Sequence, residues 1–273
     1  MQKLGIVAGA GELPSLVAQM AVAKSITPVI VSLDNQGQAD FAPLTSHSYS
    51  LLQIESIIAH FIAHEVTDIV MVGKVQRPVV TAGSAIDATS AELLKKTLPH
   101  GDDAALRAVL GVVQQAGLRV LPLQALVPEQ KLAEGYDNNV GSGCSDKTLT
   151  LAIKAHKRLS ALDVGQAVIV QEERVIAIEA AEGTDAMIAR SAGLLSDEGA
   201  ALFFKASKTS QNKLLDPPVI GLDTITHCIK AGVRTIAIEA EHCLLAAPLP
   251  VIEEACAKHD IRLLAVSLHE AVA

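Results

Sequence analysis

The chain comprises 273 residues, of which 50% are hydrophobic, and its formal net charge at pH 7 is −8. The hydrophobic residues are almost all aliphatic, as in parallel sheets covered by helices on both faces, so we expect an α/β protein of more than one domain. The negative charge disfavours a nucleic-acid partner, because binding to a phosphate backbone depends on clustered Lys and Arg.

The first half of the chain alternates predicted strands and helices. Short aliphatic runs predict the strands, and apolar residues at helical spacing predict the helices between them. The strands are predicted at 3–8, 28–33, 68–72 and 118–123, and the helices at 13–24, 54–65, 88–97 and 104–115. Strands joined by helices imply right-handed parallel crossovers, so we predict a Rossmann-like domain over residues 1–130 that binds ligands at the carboxyl ends of its strands.

The turn after the first strand is rich in glycine. Gly9 and Gly11 permit a tight turn with exposed backbone N–H groups, which can bind the phosphates of a nucleotide. Asp34 ends the second strand at the distance of a ribose-binding acid, but Pro14 stands where the NAD fingerprint has a small residue. The turn alone is equally compatible with nucleotide contact and with a plain strand-to-helix connection.

Two further segments of the first half carry charges where a ligand could bind. Lys74 and Arg77 follow the strand at 68–72, and Arg can hold a phosphate through two parallel hydrogen bonds. Asp102 and Asp103 precede a helix, so one of them is expected to cap it while the other is available to a hard divalent cation. Solvated charges and helix capping are the alternative interpretations.

The segment 131–146 is rich in Gly and Asn and lacks periodicity, which predicts a linker. The second domain, predicted at 147–273, begins with a helix at 147–161 and a hairpin of strands at 167–170 and 174–179. It continues with a helix after Thr184, strands at 201–205, 235–239 and 262–267, and helices at 223–231 and 250–259. The second domain is therefore also expected to be α/β, but distinct from the first.

Three carboxylates lie near the end of the predicted strand at 174–179. They belong to Glu179, Glu182 and Asp185, and Thr184 lies among them. Thr184 or Asp185 could simply cap the following helix. Three acids at one strand end favour contact with a metal ion or with substrate over capping alone.

The loop at 205–218 combines lysines and hydroxyls with an acid that precedes two prolines. Lys205 and Lys208 supply positive charge, Gln211 adds a polar side chain, and the prolines stiffen the backbone around Asp216. Phosphoryl transfer needs cations on the phosphate oxygens and a carboxylate that binds Mg²⁺ or orients water. A solvated, mobile loop is the alternative.

Six segments form a combination more specific than any one of them, and they occur in this order: "KLGIVAGAGELP", "VGKVQRP", "HGDDAALRAVL", "LDVGQAVIV", "IEAAEGTDAMIARSAG" and "KASKTSQNKLLDPPVIGLDTI". Together they resemble the LpxI family of UDP-2,3-diacylglucosamine pyrophosphatases. The resemblance implies Mg²⁺-dependent hydrolysis to UMP and 2,3-diacylglucosamine 1-phosphate, in the lipid A biosynthesis of Gram-negative bacteria. It also implies a Rossmann-like N-terminal domain and a distinct C-terminal α/β domain.

The resemblance points to Asp216 as the essential acid, either as a metal ligand or as the group that positions the attacking water. Two other acidic motifs match the family as well. We therefore expect catalysis by Asp216, Asp185 and Glu182, and metal ligation by Asp216, Asp102 and Asp103. The substrate is expected to contact Gly9, Gly11, Lys74, Arg77, Thr184, Lys205, Lys208 and Gln211.

No apolar run approaches the roughly 20 residues of a membrane helix, so we expect a cytoplasmic protein that contacts at most the surface of the inner membrane. A homodimer is expected, as for most soluble oligomers. Two alternatives stay open: an NAD-dependent oxidoreductase that uses Gly9, Gly11 and Asp34, and a non-catalytic nucleotide-binding regulator. The family interpretation predicts Mg²⁺ and no NAD.

Overall fold

A computed structural model describes residues 2–34, 40–75, 78, 80–81, 83–97, 102–196, 199–208 and 217–268, without the side chains of 102–104. The chain divides into two compact units, with the boundary between Val127 and Pro128. Each unit contains its own central sheet. Within the described ranges, no helix is both long and apolar enough to cross a membrane.

The first unit is built on a parallel sheet. Its described strands are β1 (Lys3–Ala8), β2 (Thr27–Leu33), β3 (Ser46–Tyr49), β4 (Asp68–Val72) and β5 (Arg119–Val120). Its described helices are α1 (Leu13–Ala23), α2 (Ile54–Ala63), α3 (Ala88–Thr97), α4 (Asp102–Gln115) and α5 (Leu123–Leu126). The strand order is β3-β2-β1-β4-β5, with every pairing parallel, so the prediction of a Rossmann-like sheet is confirmed. The order reverses between β1 and β4, where doubly wound sheets bind ligands.

Aliphatic and aromatic side chains hold the helices of the first unit on its sheet. Phe61 of α2 and Val113 of α4 pack with Val31 of β2 and Ile69 of β4 in one buried cluster. Burial of each such side chain contributes about 1.5–3 kcal/mol to stability. The amphipathic pattern of α2 and α4 therefore determines which face each helix turns to the sheet.

The predicted strand at 118–123 is wrong beyond Val120. Leu121 N still donates to Ile69 O, at 2.8 Å, but the next residue is Pro122. Proline has no N–H to donate to a strand, and it is well tolerated at the start of a helix. The chain accordingly enters α5 directly after Pro122.

The second unit contains a mixed sheet. Its described strands are β6 (Ala167–Gln171), β7 (Arg174–Ile178), β8 (Ala201–Lys205), β9 (Val219–Ile220), β10 (Thr235–Glu239), β11 (Leu244–Leu245) and β12 (Arg262–Val266). Its described helices are α6 (Asp146–Ser160), α7 (Thr184–Ser191), α8 (Leu222–Ala231) and α9 (Leu249–Lys258). The large sheet has the order β12-β10-β8-β6-β7, and β9 pairs with β11 in a separate small sheet.

One strand of the large sheet runs against its neighbours. β8, β10 and β12 are parallel, whereas β6 is antiparallel to both β8 and β7. The carboxyl ends of β7, β8, β10 and β12 therefore lie at one edge, together with the beginning of β6. We call this edge the carboxyl edge of the second sheet.

Both faces of this sheet are covered. Val168 and Leu202 face a cluster that includes Ile153 of α6, whereas Ile169 and Phe203 face the residues of α7, α8 and α9. Alternate residues of β6 and β8 thus contribute to different cores, and both strands are buried throughout. This arrangement explains why these strands have continuous apolar sequences, and it confirms the α/β class of the second domain.

The segment 131–146, predicted to be a linker, is hydrogen-bonded to β12 of the second unit. Asp137 Oδ2 accepts a hydrogen bond from Arg262 Nη2 at 2.6 Å. Asn138 Oδ1 accepts one from Leu263 N at 3.0 Å. Asp and Asn form such bonds to backbone and side chains without any periodic pattern, so a segment rich in them can be well packed. These contacts correct the linker interpretation, because they make the segment part of the second unit.

Candidate active site

Buried polar side chains form a hydrogen-bonded chain at the carboxyl edge of the second sheet. Lys205, the last residue of β8, donates from Nζ to Thr184 Oγ1 at 2.9 Å. Thr184 Oγ1 in turn donates to Glu179 Oε1, also at 2.9 Å. Lys205 is only 7% exposed, and Thr184 is its one hydrogen-bond partner among the described residues. A buried positive charge is unfavourable unless a negative charge or hydrogen-bond acceptors offset its lost hydration. The remaining N–H donors of Lys205 therefore favour an anionic ligand.

A second buried acid ends the neighbouring strand. Glu239 is the last residue of β10 and is 6% exposed. Its Oε2 accepts a hydrogen bond from Ser207 N at 2.7 Å, and its Oε1 lies 3.9 Å from His242 Nε2. Glu239 was not predicted from the sequence. Its position directly after a buried strand, where α/β sheets place ligand-binding groups, was the signal that could have found it.

His156 of α6 reaches the same strand end. Its Nε2 donates to Ala206 O at 3.1 Å, and its ring packs edge-on against Phe204 with centroids 5.5 Å apart. Burial lowers the pKa of His156 below its ordinary value of 6.5, although the hydrogen bond to Ala206 and the charges of Glu239 and Glu179 act in the opposite direction. Its Nδ1 has no hydrogen-bond partner in the described part of the chain.

The acids near the end of β7 do not form one cation site. Glu179 belongs to the chain described above, whereas Glu182 Oε1 lies 2.7 Å from Arg190 Nη2. Asp185 Oδ1 lies 3.6 Å from His227 Nδ1. The part of the chain that the structure describes holds no group of three or more His, Cys, Asp or Glu side chains suited to a metal ion. These three acids therefore do not meet at one metal ion, and their contact with substrate stays a prediction.

The structure describes only some of the other predicted site residues. Lys208 follows the same strand end and pairs with Asp163, with 2.5 Å between Nζ and Oδ1. The structure thus brings Lys205, Thr184 and Lys208 to one region of the second unit. Some predicted site residues lie outside the described residues: Arg77, Gln211 and Asp216, and the side chains of Asp102 and Asp103.

The glycine turn of the first unit contacts the loop that follows β4. Ala10 N donates to Lys74 O at 2.8 Å, and Lys74 N donates to Ala10 O at 2.9 Å. A Cβ atom at Gly9 would lie 2.4 Å from Lys74 O, and Gly11 has a φ of +102°. Gly9 thus allows the close approach of the two loops, and Gly11 allows the left-handed backbone. The structure brings Gly9, Gly11 and Lys74 together at the point where the strand order reverses.

Two observations bear on the NAD alternative. Asp34, the predicted ribose-binding acid, accepts a hydrogen bond from Ser48 Oγ of β3. Pro14 is buried in the first turn of α1, where the third small residue of an NAD fingerprint would allow close packing of helix and strand. Both observations favour a structural role for these two residues.

Comparison with known proteins gives matches over nearly the whole chain. Two family models match: the LpxI N-terminal domain over residues 3–130 and the LpxI C-terminal domain over residues 140–264. A curated relative from Caulobacter vibrioides, UDP-2,3-diacylglucosamine pyrophosphatase LpxI, is 29% identical over 259 residues. The alignment covers 90% of this chain and 91% of the relative.

Solved structures are less similar. An NAD-dependent epimerase/dehydratase from Methylobacillus flagellatus is 16% identical, with a TM-score of 0.26, and the match covers 50% of this chain and 42% of that one. A GalE-like L-threonine dehydrogenase from Cupriavidus necator is 11% identical, with a TM-score of 0.33 and coverage of 97% and 78%. TM-scores this low do not indicate a shared overall fold.

Proposed function

The chain belongs to the LpxI family, and from this premise we propose that it hydrolyses the pyrophosphate bond of UDP-2,3-diacylglucosamine. The products are UMP and 2,3-diacylglucosamine 1-phosphate, so the reaction is a step of lipid A biosynthesis. Both family domains match, and the curated relative aligns over nearly its whole length, which supports the assignment of the complete reaction to this chain.

The observation in the structure that best supports this function is the buried ammonium of Lys205. It lies at the carboxyl edge of the second sheet, where α/β sheets bind ligands, and Thr184 holds it in place. A diphosphate carries the negative charge that such an ammonium offsets. Because Lys205 is shielded from water, its interaction with phosphate oxygens is stronger than that of an exposed lysine.

The remaining site residues keep the roles expected from the family resemblance. Asp216 is proposed to bind the metal ion or to position the attacking water, and Glu182 and Asp185 are proposed to contribute further acidic groups to catalysis. Backbone N–H groups at the glycine turn and side-chain donors would bind the substrate. These donors are assigned to Gly9, Gly11, Lys74, Arg77, Thr184, Lys205, Lys208 and Gln211.

The reaction is proposed to require Mg²⁺. Such an ion, when bound, would offset negative charge on the diphosphate, and carboxylate oxygens are the ligands it prefers. The described carboxylates do not form a cation site by themselves. The proposed ligands are those that the family resemblance implies: Asp216, Asp102 and Asp103.

The chemistry of the substrate suggests where the protein works. UDP-2,3-diacylglucosamine carries two acyl chains that anchor it to a membrane, whereas its nucleotide is water-soluble. We therefore propose that the protein acts in the cytoplasm of a Gram-negative bacterium and contacts the surface of the inner membrane. A homodimer is proposed as the assembly.

Release of UMP from UDP-2,3-diacylglucosamine by the purified chain tests this function. The wild type should release UMP, and Asp216→Ala should abolish the release. Lys205→Met removes the charge at similar length and should lower kcat/KM about 10- to 1,000-fold. Lys230→Met, at an exposed position of α8, is the matched control and should retain the wild-type rate. Absence of UMP from the wild-type reaction, with Mg²⁺ supplied, would contradict the proposal.

A further inference from the structure

The backbone that follows β8 is anchored at three points. Ala206 N donates to Gln166 O at 3.0 Å. Ala206 O accepts the hydrogen bond from His156 Nε2 at 3.1 Å, and Ser207 N donates to Glu239 Oε2 at 2.7 Å. Successive peptide groups of this short segment are therefore held by partners from α6, from β10 and from the residue that precedes β6.

Two of these anchors are side chains because the strand pairing has ended. The last pairing of β8 with β10 joins Lys205 to Ile238, and the last with β6 joins Lys205 to Ala167. Beyond Lys205 the strands no longer pair regularly. The side chains of Glu239 and His156 therefore supply hydrogen-bond partners for the backbone of residues 206–207. The geometry of the segment thus depends on how far these two side chains reach.

Burying these groups costs free energy. His156 is 1% exposed and Glu239 is 6% exposed, and each must give up its hydration. An apolar pair at the same positions would pack without this cost. Buried polar groups of this kind concentrate at functional sites, where they hold reacting groups in place. The segment they hold separates Lys205 from Lys208.

We propose that Glu239 and His156 are positioning residues of the hydrolase: they fix the segment 206–207 and thereby the directions in which Lys205 and Lys208 present their ammonium groups to the diphosphate. This inference rests on the proposed function. Neither side chain needs to touch substrate. A displacement of about 1 Å in a group that stabilises the transition state can cost about 100-fold in rate, so the anchors should act mainly on kcat.

Two substitutions at Glu239 distinguish the effect of side-chain length from the effect of the negative charge. Glu239→Gln keeps the side-chain length and an acceptor oxygen but removes the charge, whereas Glu239→Asp keeps the charge and shortens the side chain. Positioning predicts that Glu239→Gln retains kcat within about threefold, while Glu239→Asp lowers kcat about 10- to 100-fold with a smaller change in KM. A role of the negative charge predicts the reverse order.

A second pair tests the other anchor. His156→Gln retains an N–H donor near the position of Nε2, whereas His156→Leu removes it. We expect the Leu variant to lose kcat about 10- to 100-fold and the Gln variant to recover most of it. Glu241→Asp and His259→Leu are exposed controls with the same chemical changes and should match the wild type.

Thermal unfolding and amide hydrogen exchange accompany the kinetics. Faster exchange in the peptide that contains Ser207 is expected for Glu239→Asp and not for Glu239→Gln. Equal kcat and equal exchange in these two variants would overturn the positioning role while the wild type still releases UMP. If the wild type releases no UMP, the proposed function fails, and the positioning role fails with it.

Discussion

Gly9 determines how closely the loops after β1 and β4 can approach each other. A Cβ atom there would lie 2.4 Å from Lys74 O and 3.0 Å from Val75 Cγ2, and backbone atoms cannot move aside without breaking the bridge between the loops. The absence of a side chain is therefore a requirement of the packing.

Substitution of Gly9 by Ala should separate these loops. We expect Gly9→Ala to lower the free energy of unfolding by about 1–3 kcal/mol, measured by urea denaturation. Gly83→Ala is the matched control, because a Cβ there meets no described atom within 4 Å and the backbone has no positive φ. Equal losses in the two variants would contradict the steric explanation.

Three histidines are clustered between β3 and α2. The ring centroids of His60 and His64 are 4.2 Å apart, and those of His47 and His60 are 4.6 Å apart. Burial lowers the pKa of His60 below 6.5, and the neighbouring His64 and His47 lower it further. Protonation of His60 is therefore harder in the folded chain than in the unfolded one.

This shift predicts that the chain loses stability in mild acid. As the pH falls below about 6.5, His60 is protonated in the unfolded chain before it is protonated in the folded chain. The folded chain therefore loses stability as the pH falls from about 6.5 through the lower pKa of His60 in the folded state. Between about pH 7.5 and about pH 5, the Tm of His60→Gln should therefore fall less than the Tm of the wild type. The exposed His259→Gln should keep the wild-type dependence, and an unchanged dependence in His60→Gln would refute the assignment.

Among the secondary-structure elements, α6 begins at a side-chain cap. Ser145 Oγ accepts a hydrogen bond from Thr148 N at 3.2 Å, which satisfies one of the free N–H groups of the first turn. The helix carries Ile153 into the core and His156 to the carboxyl edge of the second sheet. The cap therefore also supports His156, one of the two residues proposed to position the lysines.

Removal of the cap should destabilise the second unit. We expect Ser145→Ala to lower the free energy of unfolding by about 1 kcal/mol, measured by urea denaturation, because an N–H group loses its partner. Ser145→Asp should retain most of the stability, since a carboxylate caps the same group and suits the helix dipole. A similar loss in both variants would exclude capping as the cause.

Not every element could be predicted from the sequence. The strands at 3–8, 68–72 and 201–205 were predicted with the bounds observed, because their aliphatic runs are long and buried. β3 was missed because its sequence, Ser-His-Ser-Tyr, is polar and lies at the edge of the sheet. The two-residue strands β9 and β11 were missed as well, since only their pairing with each other defines them.

For the whole molecule, the proposed chemistry predicts dependence on a divalent cation. Dialysis against EDTA should reduce UMP release to background, and Mg²⁺ should restore it whereas Na⁺ should not. Asp102→Asn and Asp103→Asn should raise the Mg²⁺ concentration that gives half the maximal rate, because each substitution removes a proposed anionic ligand. Undiminished release in EDTA would overturn the Mg²⁺ requirement, but it would leave the family assignment intact.

The α/β class, the alternation of strands and helices and the family could be predicted from the sequence, because periodicity and motifs are properties of short segments. Only the tertiary structure decided which side chains meet. It joined Thr184 to Lys205 and gave Glu182 and Asp185 separate partners, and it brought His156 and Glu239 to the strand end that neither adjoins in sequence. The physical reason is that such contacts depend on which strands are neighbours and on the reversed direction of β6, and no local pattern of residues encodes either.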